Sequence, residues 1–142
     1  MQARQALLDS SSLENAAAFV RVYYGLMNVE MDMSYNRELS LEERGSHLHK
    51  AEDFGGEALA FARRSPNAGD VAQVKLQQAV VKGRRAEFEV KRGVSPQEIR
   101  RLKDEALRDI SGALRELQES NRSNFNENQV WAKQWSNRLT SS

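Results

Sequence analysis

Helix-start signals recur along this chain, and they constrain its fold more than any other feature. A Ser or Asn with an acidic residue three positions later caps a helix, because each side chain can bond the other residue's backbone N–H. The pairs are Ser11/Glu14, Ser40/Glu43, Asn67/Asp70, Ser95/Glu98 and Asn124/Glu127. Each pair opens a segment of helical periodicity, and no segment shows the sustained apolar–polar alternation of a strand. The sequence therefore predicts an all-α fold of five helices.

Apolar residues at helical spacing define an inward face for each predicted helix. The first four helices are predicted at residues 13–33, 41–64, 71–92 and 96–119, and a short fifth helix follows the Asn124/Glu127 pair. The inward residues of helices two to five are Leu48, Ala51, Phe54, Ala58 and Phe61; Leu76, Ala79, Gly83, Ala86 and Val90; Ile99, Leu102, Ala106, Ile110, Ala113 and Leu117; and Val130, Trp131, Trp135 and Leu139. Interior glycines indicate close helix–helix approach or a kink. They are Gly25, Gly55, Gly56, Gly83 and Gly112.

Helix one differs from the others because it carries two apolar stripes. One stripe holds Leu13, Ala17, Val20, Tyr24, Met27 and Met31, and the second holds Phe19, Val22, Leu26, Val29 and Met33. A helix that is apolar on two sides must be covered on two sides. Cover for the second stripe could come from helix five, a second copy of the chain, a foreign helix or peptide, or the N-terminal stretch of residues 6–8.

Length and composition exclude several classes of protein. The 142 residues suit a single domain at residues 13–142, preceded by an N-terminal extension at residues 1–12. The absence of cysteine excludes disulfides, cysteine-bound zinc and iron–sulfur clusters. A net charge of +1 gives no global basic field for nucleic acid, and no apolar run approaches the roughly 20 residues of a membrane span. We therefore expect an intracellular protein, cytoplasmic or nuclear, that binds neither nucleic acid nor membranes.

No pattern of catalytic or metal-binding residues is present in the sequence. His47 and His49 are two residues apart, so on a regular helix their side chains point about 200° apart and cannot share one ion. The chain contains no P-loop, dinucleotide-binding glycine motif or nucleophile elbow. We expect no enzyme activity, no cofactor and no metal.

The sequences of predicted helices one and three align with each other without gaps. Those of helices two and four align at their starts and again at a Glu-Ala-Leu tripeptide that both contain. These features suggest two helix–helix units in series, closed by a fifth helix. A family resemblance rests on residues 56–67, 71–93 and 104–107. Over residues 13–119 the chain resembles a tetratricopeptide-repeat protein in its looser, longer-repeat form. Gly25, Ala58, Ala86 and Ala106 would take the small positions of the facing helices. A plain five-helix bundle remains the alternative.

The resemblance implies a non-enzymatic protein-interaction module, a scaffold or regulatory domain that binds a peptide or helix in the groove along its first helices. The groove residues would be Tyr23, Leu26, Val29, Arg84, Glu87 and Lys91. Two other functions stay open. One is a self-associating structural domain that dimerises through the same surface, and the other is a small-molecule-binding or catalytic helical bundle.

Charge is distributed unevenly along the chain. Residues 28–57 hold eight acidic and three basic residues, a net charge of −5, whereas residues 82–103 hold eight basic and three acidic residues, a net charge of +5. The basic set could bind an acidic peptide or a phosphate-rich partner. Alternatively, it could pair with the acidic helix two, within one molecule or between molecules.

Overall fold

The structure is a computed structural model that describes residues 13–120 and 124–141. Its five helices are α1 (Leu13–Met33), α2 (Leu41–Ala62), α3 (Asp70–Lys91), α4 (Pro96–Glu119) and α5 (Phe125–Thr140). The described residues contain no strand, which confirms the predicted all-α fold. The predicted bounds of α1 and α4 match the structure, and α5 begins at Phe125, directly after the predicted cap residue Asn124.

Two of the five predicted caps form as their spacing requires. Ser40 and Glu43 make a reciprocal capping box: the Ser40 hydroxyl accepts the Glu43 N–H at 3.1 Å, and the Glu43 carboxylate accepts the Ser40 N–H at 3.4 Å. The Ser95 hydroxyl accepts the Glu98 N–H at 3.3 Å, and Pro96 occupies the first turn of α4. These bonds satisfy N–H groups that a helix start leaves without an intrahelical partner.

Of the other three predicted caps, one is at the wrong residue, one forms no cap bond and one lies outside the described residues. The residue before α3 is Gly69, with φ 86°, so Asn67 is not the cap. Asn124 is the residue before α5 as predicted, but it makes no side-chain cap bond; its amide N–H donates to Gln73 on α3. The pair Ser11/Glu14 includes a residue that the structure does not describe.

Helices that follow one another in sequence pack against each other, and the odd-numbered helices also touch. Contacts join α1 to α2, α2 to α3, α3 to α4 and α4 to α5, and further contacts join α3 to both α1 and α5. This pattern is that of the predicted five-helix antiparallel array. Helix α3 is its centre, since it contacts all four other helices.

Most of the predicted inward residues form the core. Leu48, Ala51, Ala58 and Phe61 of α2 are fully or almost fully buried, as are Leu76, Ala79 and Ala86 of α3. The α4 stripe from Ile99 to Leu117 is buried except for Leu102, which is half-buried. Two predictions are wrong: Val130 on α5 is exposed, and so is Val90 at the end of α3, where it lines an open groove.

Close helix approach occurs at some glycines and not at others. A Cβ atom on Gly83 would lie 3.1 Å from the Leu139 side chain and 3.3 Å from that of Trp135, so α3 and α5 meet closely here. Gly45, which the sequence did not single out, faces Phe88 of α3 even more tightly, at 2.9 Å. By contrast, Gly25 and Gly56 have no neighbouring atom within 4 Å of that position.

Candidate interaction surface

Three aliphatic residues on α1 form an open apolar face, which we call the α1 strip: Val22, Leu26 and Val29. Their exposed fractions are 54%, 38% and 56%. Spacings of four and three residues place them on one side of a helix. Contiguous exposed apolar side chains of this kind mark interaction surfaces more often than isolated ones do.

The α1 strip points away from α3. Tyr24 and Asn28 are the α1 residues that reach α3, where Gln73 donates to the Tyr24 hydroxyl at 3.1 Å and Gln77 donates to the Asn28 amide oxygen. Leu26 lies two residues from each of them, which on a helix is a rotation of about 200°. The strip therefore lies on the outer edge of the helical array, on the side that no described helix covers.

Tyr23 lies between α1 and α2 rather than on an open surface. Its ring stacks on Phe61 of α2 at a centroid distance of 5.6 Å and contacts Phe54 at 6.1 Å. Phe19 stacks on the same Phe61 ring at 4.9 Å. These aromatic contacts hold α1 against α2, so Tyr23 belongs to the interface between the two helices.

Arg84 departs most from its predicted role. It was expected to face a ligand, yet it is only 3% exposed. Its guanidinium donates to the Ser34 backbone oxygen at 2.7 Å and to the Ser34 hydroxyl at 3.1 Å, and it lies 4.0 Å from the centroid of the Tyr35 ring. Burial lowers the pKa of this guanidinium. Arg84 therefore ties α3 to the turn after α1.

Glu87 and Lys91, the other two predicted residues of α3, have different surroundings. Glu87 accepts hydrogen bonds of 2.7 and 2.8 Å from Arg138 on α5. Lys91 is exposed at the last residue of α3. The six predicted residues thus occupy three places: the open strip (Leu26, Val29), internal contacts (Tyr23, Arg84, Glu87) and the end of α3 (Lys91).

Much of the basic region pairs with acidic residues of the same chain. Arg85 donates to Glu52 of α2 at 2.6 and 3.3 Å, and Lys82 donates to Asp109 of α4 at 2.6 Å. Burial opposes the charged form of Arg85, but hydrogen bonds and charge attraction from Glu52 and Glu89 together raise the pKa of its guanidinium. Attraction between the acidic α2 and the basic α3, one of the two sequence-based alternatives, accounts for the first of these pairs.

A groove at the α3–α4 turn brings apolar and basic residues together, and sequence reasoning missed it. We call this 560 Å³ cavity the turn groove; residues lining it include Val90, Val94, Ile99, Leu139, Arg100, Lys103 and Asp104. Val90 is 54% exposed. The signal was present in the sequence, but Val90 continues the inward stripe of α3 and was therefore assigned to the core.

Both histidines have protein partners. The His47 ring lies 2.5 Å from the Glu30 carboxylate, so it links α2 to α1, and the exposed His49 ring lies 3.8 Å from Asp53. Among the residues that the structure describes, no group of three or more His, Cys, Asp or Glu side chains could hold a metal ion. Residues 6–8, a possible cover for the second stripe, lie outside the described residues.

The fold defines the class of this protein as an all-α antiparallel helical array with one exposed apolar strip. The chain matches no protein-family model, and no curated protein or solved structure matches it. The tetratricopeptide-like interpretation of residues 13–119 therefore stays a prediction. No helix in the described part of the chain is long and apolar enough to cross a membrane.

Proposed function

We propose that this protein is a non-enzymatic protein-interaction module that binds the apolar face of a partner helix or peptide on the α1 strip. The observation that carries the proposal is the exposure of Val22, Leu26 and Val29 on one side of a long helix. Backbone groups within a helix are already bonded to one another, so a partner would gain affinity by burying side chains.

The dimensions of the strip favour a helical partner. Val22 and Val29 are seven residues apart, a distance of about 10 Å along the axis. A partner helix presents apolar residues at spacings of three and four over the same length, and such faces pack by placing the side-chain ridges of one helix in the grooves of the other. The aromatic contacts of Tyr23 with α2 would keep this surface rigid.

The order of helix packing also supports an array of the tetratricopeptide kind. In such an array each helix contacts the next one, and the first helices of successive units contact each other; the α1–α3 and α3–α5 contacts agree with this order. A groove along the first helices is less favourable as the binding surface, because Gln77, Val80 and Arg84 of α3 are buried. For this reason we propose the outer edge of α1 instead.

Charge gives the strip a partner preference that differs from the sequence-based expectation. An acidic partner was expected because the basic region was thought to flank the strip. The exposed acidic residue Asp32 follows the strip instead, and the exposed Arg21 precedes it. A partner helix with a basic residue facing Asp32 would suit this end of the strip.

Affinity capture from a cell extract tests the proposal with two matched variants. Val29→Glu places a charge on the strip, and Val130→Glu makes the same change at an exposed valine of α5. We expect a protein that wild type and Val130→Glu capture and that Val29→Glu loses, with equal helix content by circular dichroism in all three. Identical captured sets for the two variants, or no protein above background with wild type, would overturn the proposal.

A further inference from the structure

We infer that the α1 strip of one copy of this chain docks in the turn groove of a second copy, so that molecules associate head to tail. This inference rests on the proposed role of the strip and names its partner. The two surfaces are different and each molecule has one of each. The contact is therefore heterologous, and repeating it builds an open chain of molecules.

The two surfaces match in shape and in apolar character. The strip is a row of three exposed aliphatic side chains on one face of a helix. The turn groove is a concavity of 560 Å³ with Val90, Val94, Ile99 and Leu139 among its lining residues. Its size lies within the roughly 300–1,000 Å³ of cavities that bind apolar groups. Docking would cover exposed valines on both sides, Val22 and Val29 on one copy and Val90 on the other.

The charges around the two surfaces are of opposite sign. The strip enters the acidic stretch of residues 28–57, where Asp32 is exposed, whereas the groove lies in the basic stretch of residues 82–103, where Arg100 is exposed and lines the cavity. Opposite charges steer association, so the exposed Asp32 of one copy and the exposed Arg100 of the next favour the head-to-tail contact.

The internal ion pairs of Lys82 and Arg85 lie outside the groove. Both residues pair with acidic residues of their own chain, and neither lines the groove. The charged residues of the lining are Arg100, Lys103 and Asp104, and Arg100 is the one that faces solvent as a basic group.

Sedimentation velocity of the full chain over a wide concentration range tests the inference. We expect the mass of wild type to grow with concentration beyond that of a dimer. Val29→Glu, which damages the strip, and Val90→Glu, which damages the groove, should each stay monomeric. Arg100→Glu is a second groove variant at an exposed position, and Val130→Glu should behave as wild type.

An equimolar mixture of the two damaged proteins is the decisive sample. Val29→Glu keeps an intact groove and Val90→Glu keeps an intact strip, so the mixture should form one-to-one heterodimers and nothing larger. A symmetric strip-to-strip dimer would instead form in Val90→Glu alone, and adding Val29→Glu would produce no heterodimer. That result would overturn the inference. Severalfold weaker association at high ionic strength is also expected.

Wild type that remains monomeric at every concentration would likewise overturn the inference. That result would leave the proposed function standing, because a foreign partner of the strip is detected separately by the loss of capture in Val29→Glu. Failure of the capture experiment together with head-to-tail association would show instead that a second copy is the strip's partner.

Discussion

The guanidinium of Arg84 lies beneath the ring of Tyr35, with its central carbon 4.0 Å from the ring centroid. Arg138 approaches the same ring from α5 at 5.8 Å and donates to the Tyr35 hydroxyl at 3.4 Å. This single aromatic residue, in the turn after α1, therefore connects the two arginines of α3 and α5. These contacts join α3, α5 and the turn after α1 at one end of the array.

Arg84→Met should lower the free energy of unfolding by about 3 kcal/mol. The change removes two charged hydrogen bonds and leaves the buried Ser34 backbone oxygen without its donor. Urea unfolding measures the loss. Lys91→Met on the same helix is exposed and should change stability by less than about 0.5 kcal/mol. Equal effects of the two substitutions would show that Arg84 is not a structural residue.

Tyr35→Phe should alter the dependence of stability on pH. Burial raises the pKa of the Tyr35 hydroxyl above its ordinary value of 10.0, so the folded protein holds this proton more tightly than the unfolded chain does. The resulting stability is complete below pH 10 and is lost as pH rises through the raised pKa. Urea unfolding on both sides of pH 10 should show wild type losing stability relative to Tyr35→Phe, and parallel pH profiles would contradict this.

Gly83→Leu should detach α5 from the array. A Cβ atom at this position already lies within 3.1 to 3.4 Å of Leu139 and Trp135, so a longer side chain has no room. Because Trp135 is buried, its fluorescence should shift to longer wavelength in the variant. Gly56→Leu is the matched control, since the space around Gly56 is open; a similar spectrum for both variants would argue against close packing at Gly83.

Gln73 and Asn128 should behave as a coupled pair in a double-mutant cycle. Their side-chain amides bond each other in both directions, at 2.9 and 2.8 Å, and join α3 to α5. Gln73→Leu or Asn128→Leu alone leaves a partly buried amide without this partner and should cost about 1–3 kcal/mol. The double substitution should cost less than the sum of the two. Strict additivity in thermal unfolding would show that the pair is not coupled.

The sequence predicts α4 well because that helix has one buried face. Ile99, Ala106, Ile110 and Leu117 recur at helical spacing, and solvent covers the opposite side. Helix α3 is harder to predict because neighbours surround it. Polar residues such as Gln77 and Arg84 are buried there, and periodicity cannot indicate which neighbour satisfies them.

The candidate site could be predicted only in part for a related reason. Leu26 and Val29 were assigned to a surplus apolar face, and they are exposed as a surplus face requires. Arg84 was assigned to the same surface because the tetratricopeptide layout places that side of the third helix along the groove. Its partner Ser34 is 50 residues away in sequence, so no local sequence pattern predicts the contact.

The central position of α3 has a consequence for how the chain can be cut or rearranged. The helix packs on α1 and α2 from the first half and on α4 and α5 from the second. Cleavage or insertion within α3 would therefore deprive both halves of their support together. The largely exposed turn at residues 63–69 is a different case. Extra residues there would leave the packing between helices in place, which makes this turn the natural point for an insertion.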